Sequence, residues 1–468
     1  MQTPNNYFLK RASVVYGISL VFVGIVYYDY FMPWYWVLMG ILEVVLFYAL
    51  STYWEKDWAS FSPQQFEKKL FGFTLLFRLF WIFGFYAFTT SVWNTPWEQP
   101  IGSFMDSVGY FEEAVWLREL IRQGDISPYM EYLNSDSGYA IFLALWNFLT
   151  HDSILLSRLP NAFFDTWTVI LTYRIARRNF GEKPARLAAL FTLLIPMMSF
   201  YSAVTMKESL MVMLSTWALD KGDLLIRERN FKSKTFLVFI ITTFLVAFFR
   251  TALSWVIILT FVCGILLSSE KLLKKSKRVV YLTVLILGGI TLFGGTIIEQ
   301  SEDLVEQLES TGANFDYRAN RKGGNKLVAN LSKGVLAPLA LTIPFPTMVA
   351  IEGQNIQQLQ NGGFYLKNIL SFFSIFAIFI LLKNKKWRDS VMPLAFLAGY
   401  LMVLAMSSFI HSGRFHHPVI PIEMTLGAYG ICSIRNRKDA QLFDCFLMLE
   451  FLIILLWNGF KLKGRGLI

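Results

Sequence analysis

The chain has 468 residues, of which 55% are hydrophobic, 17% aromatic and only 16% charged. A soluble domain of that size could not hide so much apolar surface, and apolar runs near bilayer-spanning length recur along the sequence. The formal charge of +10 does not indicate nucleic acid, because the Lys and Arg residues sit in short loops between apolar runs, where the cytoplasmic charge bias of membrane proteins expects them.

In chain order, Lys10 and Arg11 precede an apolar run that continues past Val26 without a small-residue cleavage site, so it reads as an uncleaved first span. Residues 12–32 and 34–53 form a predicted helical hairpin turning at Pro33, and Phe71–Trp93 is a third span that leaves through WNTPWEQP. Between 94 and 155 lie nine acidic residues against Arg118 and Arg122, a balance that places this loop on the outer face. Within it, Gly102–Gly124 carries Asp106, Tyr110, Glu113 and Leu117 at helical spacing, so one face of a helix bears an aspartate, a tyrosine and a glutamate. Tyr139–Thr150 is apolar but short, and is predicted to skim the membrane surface.

Leu155–Ala176 crosses back to a basic loop containing Arg174, Arg177, Arg178, Lys183 and Arg186. Leu187–Thr205 returns outward and delivers Lys207 and Glu208 to the outer surface, and Leu210–Leu219 re-enters. Phe236–Phe249 and Leu253–Leu267 form a tight hairpin with Arg250 at its outer turn. After the basic stretch 270–278, Val279–Ile298 leads to a second outer loop, acidic and then basic. Leu336–Ile351 holds three prolines and is taken as non-crossing. Tyr365–Leu382, Val391–Phe409, Val419–Ile434 and Phe443–Phe460 complete the spans. The last would put Lys461, Lys463 and Arg465 on the outer side, against the charge rule, so either that helix does not cross or an earlier span is miscounted.

The fold class is therefore an all-α polytopic membrane protein with about twelve to fourteen transmembrane helices and amphipathic surface helices in the first large outer loop. Its expected divisions are an N-terminal hairpin and cytoplasmic loop (1–69), a transmembrane module (70–298) with outer loop 94–155, a second outer loop (299–365) and C-terminal transmembrane helices (366–468). Cys263, Cys432 and Cys445 all fall in apolar runs, so neither a disulfide framework nor a zinc pattern is present.

With this topology four polar clusters converge on the outer leaflet: Asp106 with Tyr110, Glu112 and Glu113; Lys207–Glu208; Arg250; and His411–Arg414–His416–His417. Charges beside apolar spans are costly and usually face a polar cavity or the interface. Each cluster has a plainer use. Asp106 can cap its helix, Lys207–Glu208 can end a span as an interfacial pair, and Arg158 and Arg250 can anchor at headgroups. The histidines can serve as interface hydrogen-bonders.

Three stretches taken together resemble the integral-membrane glycosyltransferases of the GT-C fold, such as protein O-mannosyltransferases and aminoarabinose transferases. They are DSVGYFEEA, the span-turn-span segment from SRLPNAFFD to VTMKESL, and SGRFHHPVIPIEMTLGAYG. The resemblance covers roughly residues 70–434 and omits the N-terminal hairpin. The mannosyltransferase Asp-Glu pair is Asp106–Ser107 here, so a second carboxylate comes from Glu112 or Glu113 or is absent. No His-Glu or Asp-x-Asp pair stands out, which leaves a divalent cation open as a cofactor.

The resemblance implies an inverting transferase that takes a sugar from a polyprenyl-phosphate donor to an outer-face glycolipid, polysaccharide or protein. It also implies a bacterial inner membrane, with the site on the periplasmic face. Such a reaction needs a carboxylate base for the acceptor hydroxyl and cations at the leaving phosphate. Asp106 is the expected base. Arg414 and Lys207, with Arg250, are expected at the phosphate, and Tyr110, Glu113, Arg158, Glu208 and His411 are expected to line the substrates. A polysaccharide polymerase, a lipid-linked oligosaccharide flippase or another transporter is the alternative for a chain with many spans and a large outer loop.

Overall fold

A computed structural model of the chain describes residues 4–98, 106–133, 137–228, 234–268, 339–352, 354–406, 410, 412–434 and 436–468. The expected span Val279–Ile298, the basic stretch 270–278, most of the second outer loop and His411 lie outside them. The described residues form helices joined by short turns: α1 (Pro4–Val26), α2 (Trp34–Asp57), α3 (Pro63–Val92), α4 (Asp106–Gln123), α5 (Ser127–Tyr132), α6 (Gly138–Thr150), α7 (Ile154–Phe180), α8 (Glu182–Leu194) and α9 (Pro196–Ser202). After these come α10 (Glu208–Glu228), α11 (Lys234–Ala247), α12 (Thr251–Leu267), α13 (Asn355–Leu359), α14 (Asn361–Lys383), α15 (Val391–Met406), α16 (Gly413–His416), α17 (Ile420–Ser433) and α18 (Arg437–Lys463).

The chain is an all-α multi-pass membrane protein. Six of its described helices are long and apolar enough to cross a bilayer, or eight if each of two bent pairs is one span, and α11 and α12 are shorter apolar helices. Local chemistry sets the helix boundaries. Pro33 precedes α2. At α3, Ser62 and Gln65 form a reciprocal cap, with the Gln65 amide donating to Ser62 Oγ at 3.3 Å and the Ser62 amide to Gln65 Oε1 at 3.0 Å, and Pro63 takes the first helical position. α6 ends at His151 in the left-handed region, and the chain then turns through 118° into α7. That turn lays the predicted skimming helix across the bundle end. The expected span Leu187–Thr205 does not run as one rod: it bends by 50° between α8 and α9, where Pro196 lacks the amide that would continue the helix.

Contacts between helix ends define two faces of the bundle. At one, Arg178 holds Asp220 and Asp223 of α10 at 2.6 and 2.9 Å, and Arg227 donates to the Asp389 carbonyl at 2.8 Å. There too, Arg186 donates to the Trp58 and Phe61 carbonyls at 2.7 and 2.6 Å. At the other lie the loop after α1, the exit from α3, the start of α4, the α9–α10 and α11–α12 turns, and segments 339–352 and 412–419. Their links include the Met32 amide to the Met348 carbonyl at 3.1 Å and Lys207 Nζ to the Phe249 carbonyl at 2.9 Å. Loops 177–186 and 383–388 thus stand opposite Asp106, Lys207 and Arg414, as the charge pattern predicts. Segment 339–351 is irregular and non-helical apart from a short turn, in keeping with its prolines.

The last helix resolves the dilemma at the C-terminus. α18 runs alongside α1 from Arg11–Asp444 to Tyr30, whose hydroxyl donates to the Leu467 carbonyl at 2.7 Å. It therefore traverses the whole bundle. Lys461 arrives half-buried at the Asp106 face, where its ammonium donates to Thr347 Oγ1, Gln354 Oε1 and Gln357 Oε1 at 2.7, 2.8 and 2.5 Å. Ready-made acceptors offset the cost of placing a cation there.

Two buried charge pairs brace the interior. Arg78 of α3 lies 3.3 Å from Asp165 of α7, with both side chains fully buried, and Arg78 also donates to Ser199 of α9. Lys367 of α14 lies 4.0 Å from Glu423 of α17 and donates to the Leu341 and Ile343 carbonyls at 2.6 and 3.0 Å. The second pair ties segment 339–352 to the bundle. Neither pair was singled out by the sequence, because each charge stands alone in an apolar run.

Candidate active site

Asp106 opens α4, and its carboxylate pairs with the Arg414 guanidinium. Arg414 also pairs with Glu208, the first residue of α10, whose side chain is fully buried. One helical turn along α4, Tyr110 presents its hydroxyl 3.4 Å from Arg414 Nη2. Lys207 adjoins Glu208, and its ammonium stands 5.8 Å from the centre of the Tyr110 ring. Three segments far apart in sequence, α4, the start of α10 and α16, thus meet around one guanidinium.

Arg250 joins from the α11–α12 turn. It donates to the Tyr400 hydroxyl at 2.9 Å and lies 4.5 Å over the Phe415 ring, while Tyr400 donates to the Phe415 carbonyl at 2.9 Å. That turn is held by Gly138. The Gly138 amide donates to the Phe248 carbonyl at 3.3 Å, and an added Cβ would meet the same oxygen at 2.5 Å, so any side chain would push the turn away.

Arg158 is fully buried in the first turns of α7 and donates to the Pro96 carbonyl. It feels the charge of Glu98, a buried carboxylate that accepts from Ser107 Oγ at 2.5 Å. Glu98 is the residue sequence reasoning passed over. Its signal was an acid in an aromatic, Pro-rich exit, which reads equally well as a solvated loop.

Glu113 turns elsewhere: it accepts from the Tyr129 hydroxyl at 2.7 Å and braces α4 against α5. Of the expected set, Asp106, Tyr110, Lys207, Glu208, Arg250 and Arg414 come together and Arg158 stands beside them through Glu98, whereas Glu113 is directed away. His411 lies outside the described residues. His417 is fully buried with its ring 4.6 Å from that of Tyr201.

Electrostatics follow from this packing. Burial pushes the Arg414 guanidinium down to about 10, opposed by the charge of Glu98, so it is still a cation at neutral pH. Burial, with Arg78 and Arg250 nearby, pushes His417 down to about 3, so its ring is neutral. Around the site, Glu98, Asp106 and Glu208 stand against Arg158, Lys207, Arg250 and Arg414, an excess of one positive charge that suits an anion. Among the described residues no group of three or more His, Cys, Asp or Glu is placed to hold a metal ion.

No protein-family model and no curated protein matches the chain. Among solved structures it matches the archaeal oligosaccharyltransferase AglB from Archaeoglobus fulgidus, solved in complex with an inhibitory peptide and a dolichol-phosphate, with a TM-score of 0.44 and 11% identity. The match covers 86% of this chain and 56% of that one, so this chain spans little more than half the length of AglB. A likeness this slight decides neither the fold nor the activity of the present chain.

Proposed function

We propose that the chain is a GT-C-type membrane glycosyltransferase that moves a sugar from a polyprenyl-phosphate donor to an outer-face glycolipid, polysaccharide or protein, with inversion. The supporting observation is the Asp106–Arg414–Glu208 arrangement, with Lys207 and Arg250 at its edge. In this reading the donor phosphate draws Arg414, Lys207 and Arg250 to itself. A carboxylate bound to guanidinium is a weak base, and it strengthens when that partner turns to another anion. Asp106 then takes the proton of the acceptor hydroxyl as its oxygen attacks the anomeric carbon. The bond from that carbon to the phosphate oxygen breaks, and its electron pair stays on the phosphate facing the cations. Purified protein supplied with a radiolabelled polyprenyl-phosphate sugar and a membrane glycolipid extract is expected to release polyprenyl phosphate. Transport of an intact lipid-linked glycan with no release would favour the flippase alternative.

Arg414→Ala is expected to weaken donor binding and turnover by a charge-assisted contact, about 1.5–3 kcal/mol. Arg414→Lys recovers part of this, because an ammonium cannot bind phosphate through a planar fork. Since Arg414→Ala also strands the buried Glu208 carboxylate, the comparison is made in Glu208→Gln. Unchanged kinetics there would move the phosphate role to Lys207 or Arg250.

In this reading the Asp106 face lies outside, on the periplasmic side of a bacterial inner membrane, and the Lys/Arg bias of the loops supports that orientation. In a background without native cysteines, an impermeant maleimide should label Glu112→Cys from outside intact cells and Lys385→Cys only after permeabilisation. Labelling of both from outside would sink the orientation and the site together.

A further inference from the structure

We propose that Glu98 sets the class of donor: its buried negative charge fits the site to a lipid donor linked through one phosphate and disfavours one linked through two. The role presupposes a lipid-phosphate donor and so rests on the function proposed above. Glu98 is 3% exposed and is held from three sides where the chain leaves α3. The Trp97 amide donates to Thr95 Oγ1 at 3.3 Å, the Trp97 ring meets that of Phe111 in α4 edge-on at 5.6 Å between centres, and Arg158 donates to the Pro96 carbonyl.

The charge exceeds what the packing needs. Glu98 accepts one hydrogen bond, from the neutral Ser107 hydroxyl, and its second oxygen is shut away without a donor among the described residues. A glutamine would take the same bond through its carbonyl and bring no charge into the interior, where an unpaired carboxylate is costly. What only the carboxylate supplies is a field. It acts on Arg158 and on Arg414, where it opposes the effect of burial. It does so through space, with no need to touch a ligand.

With Glu98 in place, the cations Arg158, Lys207, Arg250 and Arg414 exceed the carboxylates Glu98, Asp106 and Glu208 by one charge. A phosphodiester carries one negative charge at neutral pH and balances that excess. A diphosphate diester carries two and would leave the enclosed site with an uncompensated negative charge. Without Glu98 the excess would be two, and the balance would pass to the diphosphate. Selectivity thus comes from a repulsive group set beside the attractive ones. A match made with the donor also persists through transfer: the proton taken by Asp106 makes the site one charge more positive as the released phosphate gains one negative charge.

The test is calorimetric titration of the purified full chain in detergent, at neutral pH and fixed salt, with polyprenyl methyl phosphate and polyprenyl methyl diphosphate. These probes carry one and two negative charges and no sugar. The unmodified chain should bind the monophosphate more tightly. Glu98→Gln keeps the bond from Ser107 and should move the ratio of the two affinities toward the diphosphate by roughly tenfold, the weight of one charge in a partly buried site. Glu98→Asp retains the charge, and Ser107→Ala retains it while dropping the bond, so both should hold the parent ratio. A Glu98 that only packs would change the two affinities alike. Equal affinities in the unmodified chain would overturn the proposal, as would an unchanged ratio in Glu98→Gln or a shift just as large in Ser107→Ala. In each of these cases the monophosphate still binds and the function proposed above stands. An unmodified chain that binds neither lipid would instead remove the lipid-phosphate donor, and that function with it.

Discussion

Asp106→Asn is expected to lower turnover by roughly a hundredfold or more while leaving expression, thermal stability and donor binding close to the parent. Asparagine keeps the size of aspartate and ranks with it as a helix cap, so a carboxylate that only starts α4 would be replaced without loss. A base would not, because the carboxamide cannot accept the acceptor's proton. The pairing sharpens the contrast. Arg414 is shared by Asp106 and Glu208, so the substitution leaves Glu208 to hold the guanidinium, and donor affinity should hold or tighten as turnover falls. Glu113→Gln is the matched control: its partner is Tyr129, and it should cost far less. Single-turnover kinetics with labelled donor, alongside donor binding, would separate these outcomes. An Asp106→Asn protein of normal turnover would remove the proposed base and favour the flippase or transporter alternative.

Arg78→Met is expected to be the most destabilising single change outside the site, by about 3–5 kcal/mol, because it leaves a buried carboxylate without its cation. Both side chains of the Arg78–Asp165 pair are fully buried, and the pair joins α3 to α7. Replacing both partners by apolar residues, Arg78→Met with Asp165→Leu, should restore most of the loss, since burying two charges is itself costly. Thermal unfolding in detergent reads both. A double variant no more stable than the single would mean that the pair does more than balance charge, and a single variant as stable as the parent would mean that Asp165 is not held as an anion.

Most of the helical framework was legible because hydrocarbon thickness dictates it. The apolar runs at 34–53, 155–176 and 365–382 lie inside α2, α7 and α14, and the scarcity of Lys and Arg in 94–155 marks the face that carries Asp106. The convergence of Asp106, Lys207, Arg250 and Arg414 was legible as a shared side of the membrane. What the sequence could not supply was aim. Asp106, Tyr110 and Glu113 share a helical face by spacing, yet α5 packs beside α4 and draws Glu113 to Tyr129. Glu98 gave only an ambiguous signal because its role comes from Ser107 and Arg158, nine and sixty residues away. The charge rule argued against a crossing last helix because of Lys461, Lys463 and Arg465, yet acceptors from 347, 354 and 357 receive the Lys461 cation at the Asp106 end.

The pairing of α1 with α18 has a consequence for biogenesis. Partners 433 residues apart, Arg11 and Asp444, meet along this seam, which also includes the Phe8–Phe443 and Phe22–Phe451 ring contacts. Helix α1 therefore leaves the ribosome long before α18, and until α18 follows, its partner face can be covered only by lipid or by the insertion machinery. The acceptors for Lys461 lie upstream of it in the chain, so this cation meets a receptor already made. This seam thus closes long after α1 is made, and a ribosome stalled before residue 437 would leave α1 unseamed and α14 exposed to quality-control proteases.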